Sequence, residues 1–423
     1  MSMFRSEAHR HAGRWVMACN WCVYGAQACI LPHMTRYYDL DLGLSDTQIG
    51  LLMALPALFA LMIQPVWGYI ADRVMSRTAA FRVVAVLAAA SLVGFAFSYQ
   101  AGGFPLLLIS VIIATMTYRV TSPLLSSLTL SYLGAGKRHY FGRIRVFGSM
   151  SFTVTVALLC PLAVMLSSWL GFYERTLVFL MGAVFLVVAL LTTAWDPDQF
   201  EPHQKPQSGA FLALIQQTHL LHFFVAIFLV GVGGSAGIQY IGPFVDYQGL
   251  SEFYFGSLWV VGVGTEIVLT FTLHSWIRKV GFQRMVTLGL LAEGLRWVGM
   301  SMAGAPWLYL TLFAFHGPAV VGIFFASAMY LDSQCSESIR STAQTCLMVS
   351  LSGGHIAGYW LASQLVASYS MLPRAEAIQV AFLAFGGIAL LASFYCGLMV
   401  TPEEPEPLAA PAGAEEALQP AGK

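Results

Sequence analysis

The chain has 423 residues, 57% hydrophobic and only 10% charged, and its 21 basic and 21 acidic side chains balance to a formal charge of zero. Soluble globular chains carry about 25% charged residues, so a surface this poor in charge must face lipid over much of its area. The balanced charge gives no basic footprint for a nucleic-acid partner.

Residues 1–14, MSMFRSEAHRHAGR, are basic and lead into an apolar span with no A-x-A cleavage site, which predicts an uncleaved first helix. About 20 apolar residues cross a bilayer core as helix. Spans are therefore predicted near 15–36, 49–71, 81–99, 105–133, 144–170 and 173–195 in the first half of the chain. The second half gives 219–240, 255–276, 282–302, 306–331, 342–366 and 376–400. The predicted fold class is an all-α membrane protein of twelve transmembrane helices. Residues 15–195 and 219–400 form its two six-helix bundles, joined by a polar cytoplasmic linker at 196–218 and followed by a disordered Pro/Ala/Glu-rich tail at 401–423.

Asn20, Tyr24 and Gln27 on the first span are spaced four and three apart and share one helix face. Amide and aromatic groups suit a sugar, a nucleoside or an aromatic acid; hydrogen bonding between helices is the plainer use. Cys19 and Cys22 have metal-pair spacing but lie mid-span with no second pair, so no metal site is expected. Most of the seven cysteines fall in apolar stretches, where cysteine acts as a small hydrophobe.

Of the 21 Lys and Arg, Arg36, Arg175 and Arg374 fall on one side of the predicted membrane, Arg119 and Arg296 lie within it, and the rest fall on the other side. That bias places both termini in the cytoplasm. A single asparagine and no N-x-S/T sequon fit a bacterial inner membrane. The two halves repeat: Leu44-Ser45-Asp46 and Leu250-Ser251-Glu252 open the second span of each half, with serine at the N-cap. Ile144-Arg145 and Ile339-Arg340 both precede a fifth span. Parallel repeats of this kind are a transporter architecture. GVGGSA (231–236) fits a dinucleotide fingerprint but lies inside an apolar span, where close helix packing explains it. No phosphate-binding G-x-x-x-x-G-K-[ST] loop and no H-E-x-x-H motif is present, so neither ATP-driven pumping nor a recognised enzyme activity is expected.

Gly68-Tyr69-Ile70-Ala71-Asp72-Arg73, followed by Arg77, resembles the loop 2–3 signature of the major facilitator superfamily, with Met75 where the family usually has glycine. TRYYDLDLGLSDTQIG (35–50) and the run after it resemble the phenylpropionate-permease group. FGRIRVFGSMSF (141–152) resembles the fifth-span entry of lactose permease, phenylpropionate permease and nucleoside/proton symporters, and SESIRSTAQ (336–344) the eleventh-span entry of the last. The resemblance covers all twelve spans and implies the major facilitator fold, a functional monomer and alternating access. It also implies a conformational latch at Gly68, Asp72, Arg73 and Arg77. Arg278 stands where the second-half copy would carry its aspartate, so that latch is one-sided.

Arg119, Glu266, Glu293, Arg296 and His316 fall near span centres. A charge at mid-bilayer costs about 2.5–3.5 kcal/mol on insertion scales, so such residues face a cavity or one another. Glu293 and Arg296, three apart, can pair. In lactose permease an acid, an arginine and a histidine occupy spans eight, nine and ten in the same arrangement. The resemblance implies that Glu266 binds substrate, Arg296 tunes carboxylate protonation and His316 orients or relays, with Glu266 or Glu293 carrying the proton. Ala319 and Ser126 stand where lactose permease has further glutamates, which argues against a galactoside. Arg145, Ser149, Phe152, Gln239 and Glu266 match nucleoside symporters, whereas Val263 and His316 do not. Arg119 joins these as a substrate-binding candidate. His355 is expected to be structural, and His33 and Asp246 interfacial. The expected function is proton-coupled import of a small polar or aromatic solute, with no cofactor beyond the proton; proton-driven export and a non-transporting sensor are the alternatives.

Overall fold

A computed structural model describes residues 7–133, 141–193, 214, 216–335 and 337–400. Most of the expected linker and the whole tail lie outside them. Among the described residues the chain is helical throughout, with no strand.

Helix α1 (Glu7–Ile30) ends in a turn, after which α2 (Met34–Arg36) winds into a π-helical turn at Tyr37–Asp41. Next come α3 (Asp46–Arg73) and α4 (Arg77–Leu133). At 57 residues α4 would be roughly 85 Å long if straight, far more than a bilayer core. It breaks at Gly102–Gly103, where Gly103 takes φ +63°, between the two spans predicted there. The first half closes with α5 (Phe141–Val154), a π-helical turn (Thr155–Leu159), α6 (Cys160–Trp169) and α7 (Thr176–Thr192).

The second half holds α8 (Thr218–Tyr247), α9 (Glu252–Val280) and α10 (Phe282–Met302). The predicted span 306–331 is interrupted: α11 (Pro306–Phe313) stops just before α12 (His316–Val320), followed by a π-helical turn (Val321–Ala326) and α13 (Ser327–Gln334). Interruptions of this kind recur at functional sites. Helices α14 (Glu337–Ser368) and α15 (Arg374–Met399) complete the described chain.

The 206-residue repeat is a repeated turn and cap. Gly43 and Gly249 take φ +60° and +70°, which L side chains rarely adopt. Two residues on, Ser45 Oγ accepts the Gln48 N–H and Ser251 Oγ accepts the Tyr254 N–H, at 3.4 and 3.2 Å. The Gln48 side chain returns a bond to Ser45 N–H at 3.0 Å, completing a capping box.

Seven helices among the described residues are long and apolar enough to cross a bilayer. Large apolar side chains such as Met62, Val184, Leu191 and Phe394 are exposed on the outside, as a lipid-facing surface requires. The chain is a multi-pass membrane protein. Helices α1, α10 and α14 fall short of that apolar threshold, and they carry Asn20, the Glu293/Arg296 pair and His355. Within the first half α1 packs on α5 and α7, and α3 on α4; within the second, α10 packs on α15, and α8 on α14 and α15. The halves meet where α3 packs on α14, α2 on α8, and α5 with its π-turn on α9.

Candidate functional site

Helix α10 carries a buried acid–arginine pair, Glu293 and Arg296. Glu293, Arg296 and Trp297 share one helix face, three and four residues apart. Arg296 Nη2 donates to both Glu293 oxygens at 2.8 and 2.7 Å, and Trp297 Nε1 donates to Glu293 Oε1 at 2.7 Å. This buried carboxylate is fully engaged by its own helix.

The other arm of Arg296, Nη1, lies 2.7 Å from His316 Nδ1 on α12. A guanidinium has no acceptor, so Nδ1 must accept and the imidazole proton sits on Nε2. That nitrogen lies 3.9 Å from Glu266 Oε2 on α9. The imidazole stacks on Phe313 at 5.9 Å between ring centroids and meets the Trp259 edge at 5.6 Å, which fixes its plane.

Glu266 closes the line across the two halves. Ser149 Oγ on α5 donates to Glu266 Oε1 at 3.4 Å, and Arg145, one turn earlier, acts on Glu266 through its charge. Arg145 Nε donates to Tyr24 Oη on α1 at 3.1 Å, and its guanidinium lies 4.9 Å from the centre of the Phe325 ring. Two long contacts and no bidentate partner leave Glu266 the least committed acid of the set. A cavity of about 110 Å³, walled by Trp259, Glu293, Arg296, His316 and His355, opens beside the line.

Close approach of α12 to α9 depends on Gly317, where a Cβ would stand 2.5 Å from Glu266 N and Thr265 Oγ1. Gly317→Ala is expected to cost about 1–3 kcal/mol by overpacking. It should lower the thermal unfolding midpoint in detergent and weaken solute binding together, since the same contact sets the Glu266–His316 distance.

The remaining predicted residues divide. Phe152 packs its ring on Trp259 across the halves, 5.4 Å between centroids. Asn20 is buried and donates to Val16 O and Thr129 Oγ1, at 2.9 and 3.3 Å, so it joins helices instead of lining the cavity. Gln27 is partly exposed and is not drawn into the charged line. Gln239 is buried and donates to Ser363 Oγ at 2.6 Å, tying α8 to α14. Arg119 stands apart from the Glu266 line, against Tyr118 and Tyr359. Of the expected latch, Gly68 and Arg73 are exposed and Arg77 is half-buried; the Asp72 side chain lies outside the described residues.

The opposite end holds a charged cluster that the sequence did not reveal: Arg36 and Arg175 are 0% and 1% exposed, and Arg374 and Asp246 are half-buried. Arg36 donates to Asp246 at 2.7 and 2.5 Å and to Glu252 at 2.6 and 2.5 Å. Arg175 pairs with Asp41 and reaches Glu252 at 3.0 Å and Asp246 at 3.8 Å. Arg374 pairs with Asp46 at 2.7 Å and Asp39 at 3.2 Å. The cluster obeys the repeat. Asp46 and Glu252 occupy equivalent positions after their serine caps, and each pairs with an arginine that opens the last helix of the other half. His33, expected to be interfacial, is wholly buried against the edge of Phe255. The signal in the sequence was the shared acidic position of the repeat beside only three basic residues on that side.

Burial pushes the Asp39 and Asp41 carboxyls up from their ordinary range, although Arg374 and Arg175 beside them pull the other way. Opening this end would solvate both groups and return them toward about 3.9. The closed form therefore holds protons more tightly than the open one. This contribution to closure is complete below the ordinary value and fades as pH rises through the raised one. Backbone hydrogen exchange across residues 36–48, corrected for its intrinsic pH dependence, should accordingly be slower near pH 4 than at pH 7.

Comparison with known proteins places this geometry. The chain is 26% identical over 318 residues to the uncharacterized transporter YwbF of Bacillus subtilis, covering 75% of this chain and 77% of that one. It is 24% identical over 327 residues to the maltose permease of Geobacillus stearothermophilus, covering 76% and 79%. It is 25% identical over 335 residues to the probable 3-phenylpropionic acid transporter of Escherichia coli, covering 78% and 85%. A crystal structure of a mutant nucleoside transporter NupG shares the fold with a TM-score of 0.80 at 17% identity, covering 92% of this chain and 100% of that one. The sequence model of the MFS_1 like family matches residues 15–371. With membrane-spanning helices, charged residues gathered where its halves meet and this match, the chain belongs to the MFS_1 like family of major facilitator transporters.

Proposed function

We propose that the protein is a proton-coupled symporter that imports a small polar or aromatic organic solute by alternating access. In this reading twelve spans form two six-helix bundles, residues 15–195 and 219–400, in a bacterial inner membrane, with both termini cytoplasmic and one chain as the working unit. The proton is the coupling ion and no other cofactor is required. Relatives named for a sugar, an aromatic acid and a nucleoside support this solute class.

One observation carries the reading: Glu266 is a half-buried, loosely held carboxylate set between Ser149 of one half and His316 of the other. An acid in that position changes partners when the halves rock, so its protonation is tied to which side is open. The neutral imidazole of His316, with its proton on Nε2, relays between Glu266 and Arg296. Glu293, already saturated by Arg296 and Trp297, serves to hold Arg296. The substrate-binding face comprises Tyr24, Arg145, Ser149, Phe152 and Trp259, whose aromatic and donor groups converge on the junction of the halves. Purified protein in proteoliposomes should accumulate solute when the outside is made acidic and not when both sides have equal pH. Accumulation without a proton gradient, or solute-independent proton leak alone, would remove the proposal.

A further inference from the structure

Three guanidinium groups, Arg119, Arg145 and Arg296, and two carboxylates, Glu266 and Glu293, occupy the middle of the described helices. Glu293 is saturated by Arg296, and Glu266 lies in the field of Arg145. Arg119 is left over. Its neighbours are the hydroxyls of Tyr118 on its own helix and Tyr359 on α14, with no carboxylate among the described residues, and its Nε has no hydrogen-bond partner. His355, one turn from Tyr359 and stacked on it at 5.9 Å, stands beside Arg119 and also walls the cavity next to Glu293 and Arg296. Arg119 is half-buried, with its Nε shielded from solvent, and a guanidinium so placed without a counter-charge is costly unless something supplies one.

We infer that Arg119, with Tyr359 and His355 on the facing helix, is an anion subsite, and that the transported solute is a monoanion bearing a carboxylate. The inference rests on the proposed symport and narrows its solute class. The excess is a single positive charge, which a carboxylate neutralises and a phosphomonoester dianion overshoots. A guanidinium offers paired donors matched to the two carboxylate oxygens. The subsite adjoins the Glu266 line through His355, which stands beside Arg119 and walls the same cavity as Arg296 and His316; a proton on Glu266 lowers the negative charge along that line and so favours an anion next to it. One proton and one monoanion then cross together without net charge.

The test uses the full-length protein and matched pairs of probes: phenylacetate against phenylacetamide, glucuronate against glucose, and uridine monophosphate against uridine. Binding to the carboxylate member of at least one pair should be ten or more times tighter than to its neutral partner, with no such preference for uridine monophosphate. Arg119→Gln should erase the preference, bringing the two members of the pair to within about twofold of each other. Arg119→Lys, which retains the charge and the fold but loses the planar fork, should weaken carboxylate binding several-fold. Equal affinity within every pair, binding of no carboxylate, a preference confined to the phosphate, or an undiminished preference in Arg119→Lys would overturn the subsite. In proteoliposomes a pH gradient should drive carboxylate uptake while a potassium–valinomycin potential at equal pH should not. Potential-driven uptake overturns the charge balance. An intact carboxylate preference with no response to the pH gradient would leave the subsite standing and remove proton coupling instead.

Discussion

Glu266→Gln should leave a folded protein that binds and exchanges solute but no longer concentrates it. Glutamine has the same shape and can still meet Ser149 Oγ and His316 Nε2, the two groups that contact the carboxyl at 3.4 and 3.9 Å. What it lacks is a proton to gain and lose. A pH difference of one unit supplies about 1.36 kcal/mol per proton, which supports about tenfold accumulation. In the variant the ratio should fall to about one under an imposed proton gradient, while counterflow of labelled against unlabelled solute persists. Retained counterflow separates loss of coupling from loss of folding. Gradient-driven accumulation by Glu266→Gln would show that another group carries the proton.

Arg36→Met should release the end of the molecule where Arg36, Arg175 and Arg374 gather. Arg36 crosses from the first half to the second and donates four hydrogen bonds to Asp246 and Glu252, between 2.5 and 2.7 Å. Methionine fills part of the space but leaves both acids leaning on Arg175 alone, which is itself engaged by Asp41. Removing one member of a buried ion-pair cluster costs about 3–5 kcal/mol because the other charges stay desolvated. At about 1.4 kcal/mol per tenfold, the ratio of closed to open forms at this end should drop by roughly a hundredfold or more. Thr47 and Phe253 are exposed on the first turns of α3 and α9 and equivalent in the repeat, so spin labels there report the separation. The distance distribution should shift outward in Arg36→Met and be unchanged in Arg284→Met, whose side chain is exposed on α10. Identical distributions in wild type and Arg36→Met would mean that packing alone keeps the ends together.

The membrane character, the breaks between helices and the local pairs belong to the sequence itself. Apolar runs near 20 residues long, Gly102–Gly103 between two of them, and serine caps at 45 and 251 depend on neighbours within a few positions. Any chain carrying those residues meets the same constraint from lipid and backbone. Glu293 and Arg296 could be paired on paper for the same reason: three residues on a helix is a fixed distance. The tertiary structure decided which charges serve which task. Asn20 and Gln239 face neighbouring helices and not the chamber. Arg36, Arg175 and Arg374, distinguished in the sequence only by their side of the membrane, became a largely buried ion-pair cluster whose partners lie up to 335 residues away. Glu266 found Ser149 across 117 residues and the other half of the chain. A periodicity of 3.6 says which way a side chain points from its own axis; it carries nothing about which axis lies opposite, and that is settled only when the helices pack.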